Sequence, residues 1–435
     1  MTNIVVAGAG PVGLMLAGEL KLAGANPLIL ERRAEPSALP RANGLGGRVV
    51  DLLEYRGLLE RLGDAFPVPS WRFGPVQVTL DRPMRVLLIQ QPELERRLTA
   101  WVTELGVEIR RGHEVTGFTQ DATGITVHGT SDVRADYLVG CDGGRSTVRE
   151  LAGIGFPGDT GSELLRMGHF RVEDAPPTSD WVRTPRGAVI VTSLQPGVAI
   201  IGVREEASVD MDTPLTVAEL KDAYLRVSGS PLDCGEPIWL SRTVSQARLA
   251  DRYREGRVFL AGDAAHLFPA GGSALNVGLL DAVNLGWKLA GERFLDTYHD
   301  ERHPVGVGTL AQTRLQELLN GVVDGDVRAL ATSLLQYGEP SSELSELLYS
   351  ADSAFGRFHP VSPAAGRSAR AVLVTSAPAL AADYDVDVVE APGDAVLVRP
   401  DGIVAWEGPA EEADAALDRW CVRTASASGR TARPC

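Results

Sequence analysis

The chain has 435 residues, 44% of them hydrophobic and 23% charged, enough for two or three domains around a sizeable core. Its formal net charge of −15 and pI near 5.0 argue against a nucleic-acid or anionic-membrane partner. No run approaches the ~20 apolar residues of a membrane span, and the scattered Cys141, Cys234, Cys421 and Cys435 lack metal-ligand spacing. The start, Met1-Thr2-Asn3-Ile4-Val5-Val6, enters a strand without a basic, then apolar, leader pattern, so the expectation is a soluble, cytoplasmic protein with reduced thiols and no metal. Lysine occurs only at Lys21, Lys221 and Lys288, so arginine supplies nearly all the positive charge.

In chain order, residues 3–7 predict a strand, followed by a glycine turn, a helix through Ala23 and a second strand at Leu28-Ile29-Leu30. The spacing of Val50, Leu53, Leu58, Leu59 and Leu62 predicts a helix over 47–62, and a second helix follows over 92–105 with Pro92 in its first turn. Segments 107–111, 114–120 and 124–129 suggest a small antiparallel sheet, and Tyr137-Leu138-Val139 a buried strand. From about 166 to 249, short strands (Met167 to Val172, Ala188 to Thr192, Val198 to Val203) alternate with turns around a helix at Val217 to Val227. Arg257 to Ala261 returns to the parallel-strand style, with helices at 276–290 and within 308–350. Residues 371–422 read as a small α/β unit.

Three motifs carry the chemistry. In Gly8-Ala9-Gly10-Pro11-Val12-Gly13, Gly8 permits a tight turn, Gly10 lets the backbone approach a pyrophosphate, and Gly13 lets helix and strand close together. Glu31, at the end of the next strand, is placed to accept hydrogen bonds from a ribose diol. The second motif is Gly140-Cys141-Asp142-Gly143-Gly144-Arg145-Ser146 and the third is Gly262-Asp263-Ala264-Ala265-His266. Each sets an acidic residue at a strand end, where it can hold a ribityl hydroxyl, before a helix N-terminus that can face phosphate.

With Pro269-Ala270-Gly271-Gly272, Asn276, Asp281-Ala282-Val283-Asn284-Leu285-Gly286-Trp287-Lys288 and Asp296-Thr297-Tyr298-His299-Asp300-Glu301-Arg302-His303-Pro304, the chain resembles the class A flavoprotein monooxygenases, the family of para-hydroxybenzoate hydroxylase and phenol hydroxylase. It is most similar to the actinomycete aromatic polyketide hydroxylases. The likeness runs from Ile4 to about Val305 and more loosely to Trp406. It implies an α/β fold: a Rossmann-like FAD-binding domain (1–165 and 250–350), an inserted mostly β substrate domain (166–249, with 74–90 contributing), an abbreviated thioredoxin-like C-terminal region (360–422) and a tail (423–435).

The resemblance further implies that Gly8, Gly10, Pro11, Val12, Gly13, Glu31 and Arg32 hold the adenosine half of FAD, with Arg41 and Gln91 near its pyrophosphate or flavin edge. Asp263, beside Gly262, would hold the ribityl chain and pyrophosphate, and the Asp142-Gly143 motif would serve both FAD and NAD(P)H. Gly271, Gly272 and the helix starting near Asn276 would bring backbone N–H groups to the flavin, with Pro269, Ser273, Ala274 and Leu275 as further cofactor contacts. NAD(P)H would be met only transiently, since there is no second dinucleotide turn. The family's usual Gly-Gly-Gln-Gly-Met-Asn is Gly271-Gly272-Ser273-Ala274-Leu275-Asn276 here; Ala274 lacks glycine's freedom at positive φ, so the loop is expected to be shaped differently.

His266 reads as a structural hydrogen-bonding residue, and His299 and His303 as packing groups. Candidate substrate-lining residues are Arg48, Trp71, Phe73, Met84, Trp181 and Trp239, which together suit a flat, polycyclic, largely apolar substrate. The activity implied is hydroxylation of a polyketide-type intermediate in antibiotic biosynthesis by way of a flavin C4a-hydroperoxide, using O2 and NAD(P)H, in a monomer or homodimer. No catalytic base is legible. An FAD-requiring cyclase, such as a [4+2] cyclase using the flavin as scaffold, is the alternative, and a non-catalytic binding protein a third reading.

Overall fold

The computed structural model describes residues 1–435 except 39–41, 175, 177–180, 212, 270–273, 322–324, 336–338, 350–356, 360–365 and 424–435. The tail and Arg41 therefore lie outside the described residues, as do Gly271, Gly272 and Ser273. Among the described residues no helix is long and apolar enough to cross a membrane.

Strand Asn3–Ala7 is the centre of a six-stranded sheet, flanked by Asn26–Glu31 on one side and Tyr137–Gly140 on the other. Val258–Leu260 and the short Arg254–Glu255 extend it beyond Tyr137–Gly140. Ile4, Val5 and Val6 are at most 1% exposed, because helix Pro11–Leu22 packs on this largely parallel sheet and strands Gly124–His128 and Val133–Ala135 share its core. Helix Pro11–Leu22 packs on helix Ala274–Gly291 so closely that a Cβ on Gly286 would lie 2.6 Å from the Glu19 side chain.

The outer edge corrects the sequence reading. Glu108–Arg111 does not open the small antiparallel sheet; it pairs in parallel with Asn26–Glu31, in register Leu28 to Glu108. Helix Gln91–Glu104 makes the crossover that a parallel neighbour requires. The antiparallel sheet is instead Gly117–Asp121, Gly124–His128 and Val133–Ala135. The helix expected over 47–62 divides into Arg48–Tyr55 and Leu59–Leu62, because Gly57 takes φ +70° between them.

A second six-stranded sheet has Val182–Thr184 at one edge, then Gly187–Gln195, Val198–Glu206, Gly158–Arg171, Glu236–Leu249 and finally His266–Leu267. The last strand links it to the first sheet through the third motif. Helix Val217–Ser228 covers one face, where Phe170, Val189, Ile201, Val203, Leu220 and Val227 form a core. Arg166 is buried on that face and bonds Glu219 (2.8 Å) and Glu205 (2.7 Å). The alternate residues of the same strands form the opposite face. A hairpin, Phe66–Phe73 with Val76–Leu88, packs its own core against Leu344 and the partly buried Leu319, Leu335 and Leu348.

The C-terminal region contains a four-stranded sheet, Asp387–Glu390, Val372–Thr375, Ala395–Val398 and Val404–Gly408, with helix Ala413–Trp420. It docks through buried charge. Arg56, fully buried, holds Glu19 at 2.7 and 2.6 Å and also bonds the carbonyls of Pro400 (2.9 Å) and Gly366. Arg399 bonds Glu301 (2.7 Å), while Asn284 donates to both Glu301 (2.7 Å) and Asp401 (3.1 Å). Burial pushes the Lys288 ammonium beside Glu301 down to about 8.

Candidate functional site

Gly8 leaves the central strand with φ +107°, and a Cβ there would lie 2.5 Å from the Cys141 carbonyl oxygen. Only glycine allows the first and second motifs to approach this closely. A Cβ on Gly13 would meet the Gly8 carbonyl oxygen at 2.1 Å, so Gly13 sits behind the turn, where helix meets strand. Gly10 differs: it has ordinary extended backbone (φ −74°, ψ 177°), and a Cβ would meet nothing within 4 Å. It is the N-cap of helix Pro11–Leu22, with no side-chain cap, so the helix N-terminus is open to the cavity beside it. The Glu31 carboxylate is fixed nearby, accepting from the N–H of Ala9 (2.8 Å) and of Arg33 (2.9 Å).

The Asp142 carboxylate accepts from the Ser146 hydroxyl (2.5 Å) and the Val148 N–H (3.1 Å), and burial pushes its pKa up. Ser146 in turn caps helix Thr147–Leu151 by accepting from the Arg149 N–H at 3.0 Å. The Arg149 guanidinium reaches the carbonyls of Gly144 and Ala264, both at 3.0 Å, and so ties the second motif to the third.

Gly262 has φ +63° and packs against Val12, which would lie 2.9 Å from a Cβ there. A Cβ on Gly278 would meet Val12 at 2.8 Å, so Val12 wedges between the third motif and helix Ala274–Gly291. Beneath this turn, Asp281 accepts from the Gly262 N–H (3.1 Å), pairs with His266 Nε2 (2.8 Å) and receives Arg302 Nε (2.7 Å). His266, Asp281 and Arg302 are at most 1% exposed. His266 is thus a structural group, stacked at 4.6 Å on Phe268. His299 accepts from the Tyr253 N–H at 3.3 Å, and its ring lies against that of His303.

The three motifs converge on one cavity of about 970 Å³. Gly8, Gly10, Pro11, Val12, Glu31 and Arg32 line one end of it. Gln91 (its N–H bonded to the Ala42 carbonyl at 2.9 Å), Asp142, Asp263, Pro269, Ala274 and Leu275 line the middle. Gly13 and Gly262 lie behind the wall, and Asn276 accepts from the Gly46 N–H at 3.4 Å. Ala274 is the first residue of its helix and lines the cavity, while the loop before it, expected to be shaped differently, lies outside the described residues.

The cavity continues to residues the sequence reading did not single out: Leu165, Arg204 and Thr243 from the open face of the second sheet, and Glu317 from helix Thr297–Gly321. Leu165 sits opposite both Arg204 and Thr243 in the ladder. The next two rows of that face are Ile190, Gly202, Met167, Ser241 and then Thr192, Ile200, His169, Trp239. Trp181 lies across Gly202, where a Cβ would meet its ring at 2.7 Å, and Trp239 stands edge-on to His169 at 5.1 Å. Those two tryptophans share the sheet face that enters the cavity. Phe73 and Met84 do not; they are fully buried in the hairpin core, a correction with a plain cause, since Phe73 packs among Val76, Val78 and Leu344. Trp71, on the same hairpin, is 37% exposed. Arg48 is buried with its guanidinium 5.1 Å over the Phe358 ring and is not part of the cavity wall.

A parallel sheet carrying a glycine turn at its central strand, with a cleft that opens onto an antiparallel sheet, defines a dinucleotide-binding α/β oxidoreductase scaffold. The chain belongs to the FAD-binding-domain family, which matches residues 1–313, and the C-terminal domain of aromatic-ring hydroxylases matches residues 342–424. It is 38% identical to 12-dehydrotetracycline 5-monooxygenase/anhydrotetracycline 6-monooxygenase of Streptomyces rimosus, over 94% of this chain and 96% of that one. It is 37% identical to dialkyldecalin synthase of Streptomyces rugosporus, over 96% and 98%. The solved structure of CabE, an aromatic hydroxylase from angucycline biosynthesis, superposes with a TM-score of 0.86 at 33% identity, covering 96% of this chain and 99% of that one.

Proposed function

We propose that this flavoprotein monooxygenase hydroxylates a polycyclic aromatic or polyketide-type small molecule. The net reaction is substrate–H + O2 + NAD(P)H + H⁺ → substrate–OH + H2O + NAD(P)⁺. The observation that carries the reading is the single cavity joining the glycine turn to the Arg204 face of the second sheet. The residues present fit FAD: the space beside Gly10 is open, the first helix has a free N-terminus, and Glu31 is pre-oriented by two backbone donors. In this reading the turn at Gly8 and Gly10 would hold the pyrophosphate, Glu31 the adenosine ribose and Asp263 the ribityl side, with Asp142 acting through the helix it orients. When bound, FAD supplies the redox chemistry, taking up reducing equivalents and activating oxygen. The protein groups orient substrate on the sheet face and keep water out.

The expected result is a yellow protein that oxidises NAD(P)H many-fold faster in the presence of a polycyclic phenol, with O2 consumed in equal amount. Unstimulated oxidation across a panel of such phenols, with all reducing equivalents recovered as peroxide, would contradict hydroxylation. The near-equal identity to dialkyldecalin synthase supports a second reading, in which the same cavity folds a polyene for ring closure. That reading requires a product isomeric with its substrate, formed without NAD(P)H.

A further inference from the structure

The open face of the second sheet carries a cation that the fold itself does not use. Arg204 lies on strand Val198–Glu206, between Ala188 and Leu165 in the ladder, and its side chain lines the cavity. Its Nε is buried without a hydrogen-bond partner among the described residues. The contrast with its neighbours is sharp. On the other face, Arg166 and Arg242 are closed by Glu205 and Glu219 at 2.7–2.8 Å. Glu163, which also lines the cavity, is engaged by Arg183 at 3.0 Å rather than by Arg204. Glu163 and Glu317, both in the cavity lining, act on the Arg204 charge through space and only partly offset the cost of its burial. Burial pushes the Arg204 pKa down, the expected penalty for a guanidinium lacking a close counter-charge.

Its surroundings say what would satisfy it. The guanidinium lies 5.2 Å from the centre of the Trp181 ring, and that ring lies against the sheet because residue 202 is glycine. A flat aromatic wall therefore adjoins a cation with donors to spare. On strand Glu236–Leu249, four residues from Thr243 in the Arg204 row, Trp239 offers a buried indole N–H that also lacks a partner. At the rise of an extended strand, that second donor stands about 13 Å from the Arg204 row. We propose that Arg204 is the anion-anchoring residue of the substrate site: it binds an ionised oxygen, a phenolate, enolate or carboxylate, at the edge of a polycycle whose rings lie along Trp181. This inference rests on the hydroxylase reading above and adds the charge of the substrate to it. A single ring bearing one charged group would satisfy Arg204 but would not reach Trp239.

The same chemistry could come from a phosphate of NAD(P)H, so the test separates the sources. The probes are alizarin, an ionisable tricyclic dihydroxyquinone, and its dimethyl ether, titrated into the flavin-loaded protein and followed by the flavin absorbance. The wild type should bind alizarin more tightly than the ether. Arg204→Gln should lose roughly tenfold or more of the alizarin affinity while leaving the ether unchanged, in line with the loss of one charge-assisted hydrogen-bonding group. Arg204→Lys should recover part of the loss, and flavin content and NADPH affinity should not change. Equal weakening of both probes would reduce Arg204 to a packing group and overturn the proposal. Weaker NADPH binding with unchanged alizarin binding would assign the anion to the nucleotide and overturn it too. If neither probe bound the wild-type holoenzyme, the polycyclic-substrate reading would fall, and this proposal with it.

Discussion

Gly10→Val is expected to leave the protein folded and strip it of flavin. A side chain at this position meets no protein atom within 4 Å and sits on backbone that any residue adopts. Stability without FAD should therefore move by no more than about 0.5 kcal/mol. The same side chain would project into the cavity beside the open helix N-terminus, where the pyrophosphate is proposed to lie. Flavin affinity should fall at least roughly 100-fold, about 2.7 kcal/mol. Gly13→Val makes the contrasting case: its Cβ would press on the Gly8 carbonyl at 2.1 Å, so the fold itself should suffer. Flavin-to-protein absorbance after incubation with FAD, beside a melt of the flavin-free protein, reads both effects. Full occupancy in the Gly10 variant would remove the pyrophosphate from this turn.

Asp281→Ala should be the most destabilising of these single changes, by about 3–5 kcal/mol, because it leaves the buried Arg302 guanidinium and His266 without their shared carboxylate. It also frees the Gly262 N–H, so the Gly262-Asp263 turn should loosen and flavin binding weaken. The pH dependence has a definite sign. Burial alone would raise the Asp281 pKa, but Arg302 and His266 together hold it below the usual carboxylate value. A group depressed in this way contributes fully above its unfolded pKa, near 4, and its contribution disappears as the pH falls through the folded value. Denaturant titrations at neutral pH and below pH 4 should show the wild type losing a component of stability that the variant never had. A difference under about 1 kcal/mol at neutral pH would show that the cluster is not the keystone of this turn.

The parts of the fold written in local pattern were legible in the sequence. The apolar strand 3–7, the glycine turn and the Gly262-Asp263 strand end each pair a hydrophobic run with residues only a tight turn requires, and the structure brings all three to one cavity. Glu236–Leu249 was not legible, although it is a long strand of the second sheet. One of its faces carries Trp239, Ser241 and Thr243 toward the open side of the sheet, and the other carries Arg242, buried against Glu219, so no apolar alternation marks it. Arg204 was hidden for a related reason. It ends an apolar run, Val198 to Val203, and reads as the first polar residue of a turn, whereas the strand continues through it to Glu206. Phe73 fails the other way: it reads as a substrate contact because nothing local announces the helices that pack on it. Where function depends on which face of a strand looks into a cavity, the partner strands decide, and they lie far away in the chain.

Oxygen transfer is proposed at the cavity that joins the glycine turn to the Arg204 face. The decisive experiment turns the reduced holoenzyme over under isotopically labelled dioxygen with a hydroxylated polycycle and weighs the product. The expected product has gained one labelled oxygen atom and forms in step with NAD(P)H oxidation. A product with the same elemental composition as its substrate, carrying no label and formed equally well without NAD(P)H, would contradict it.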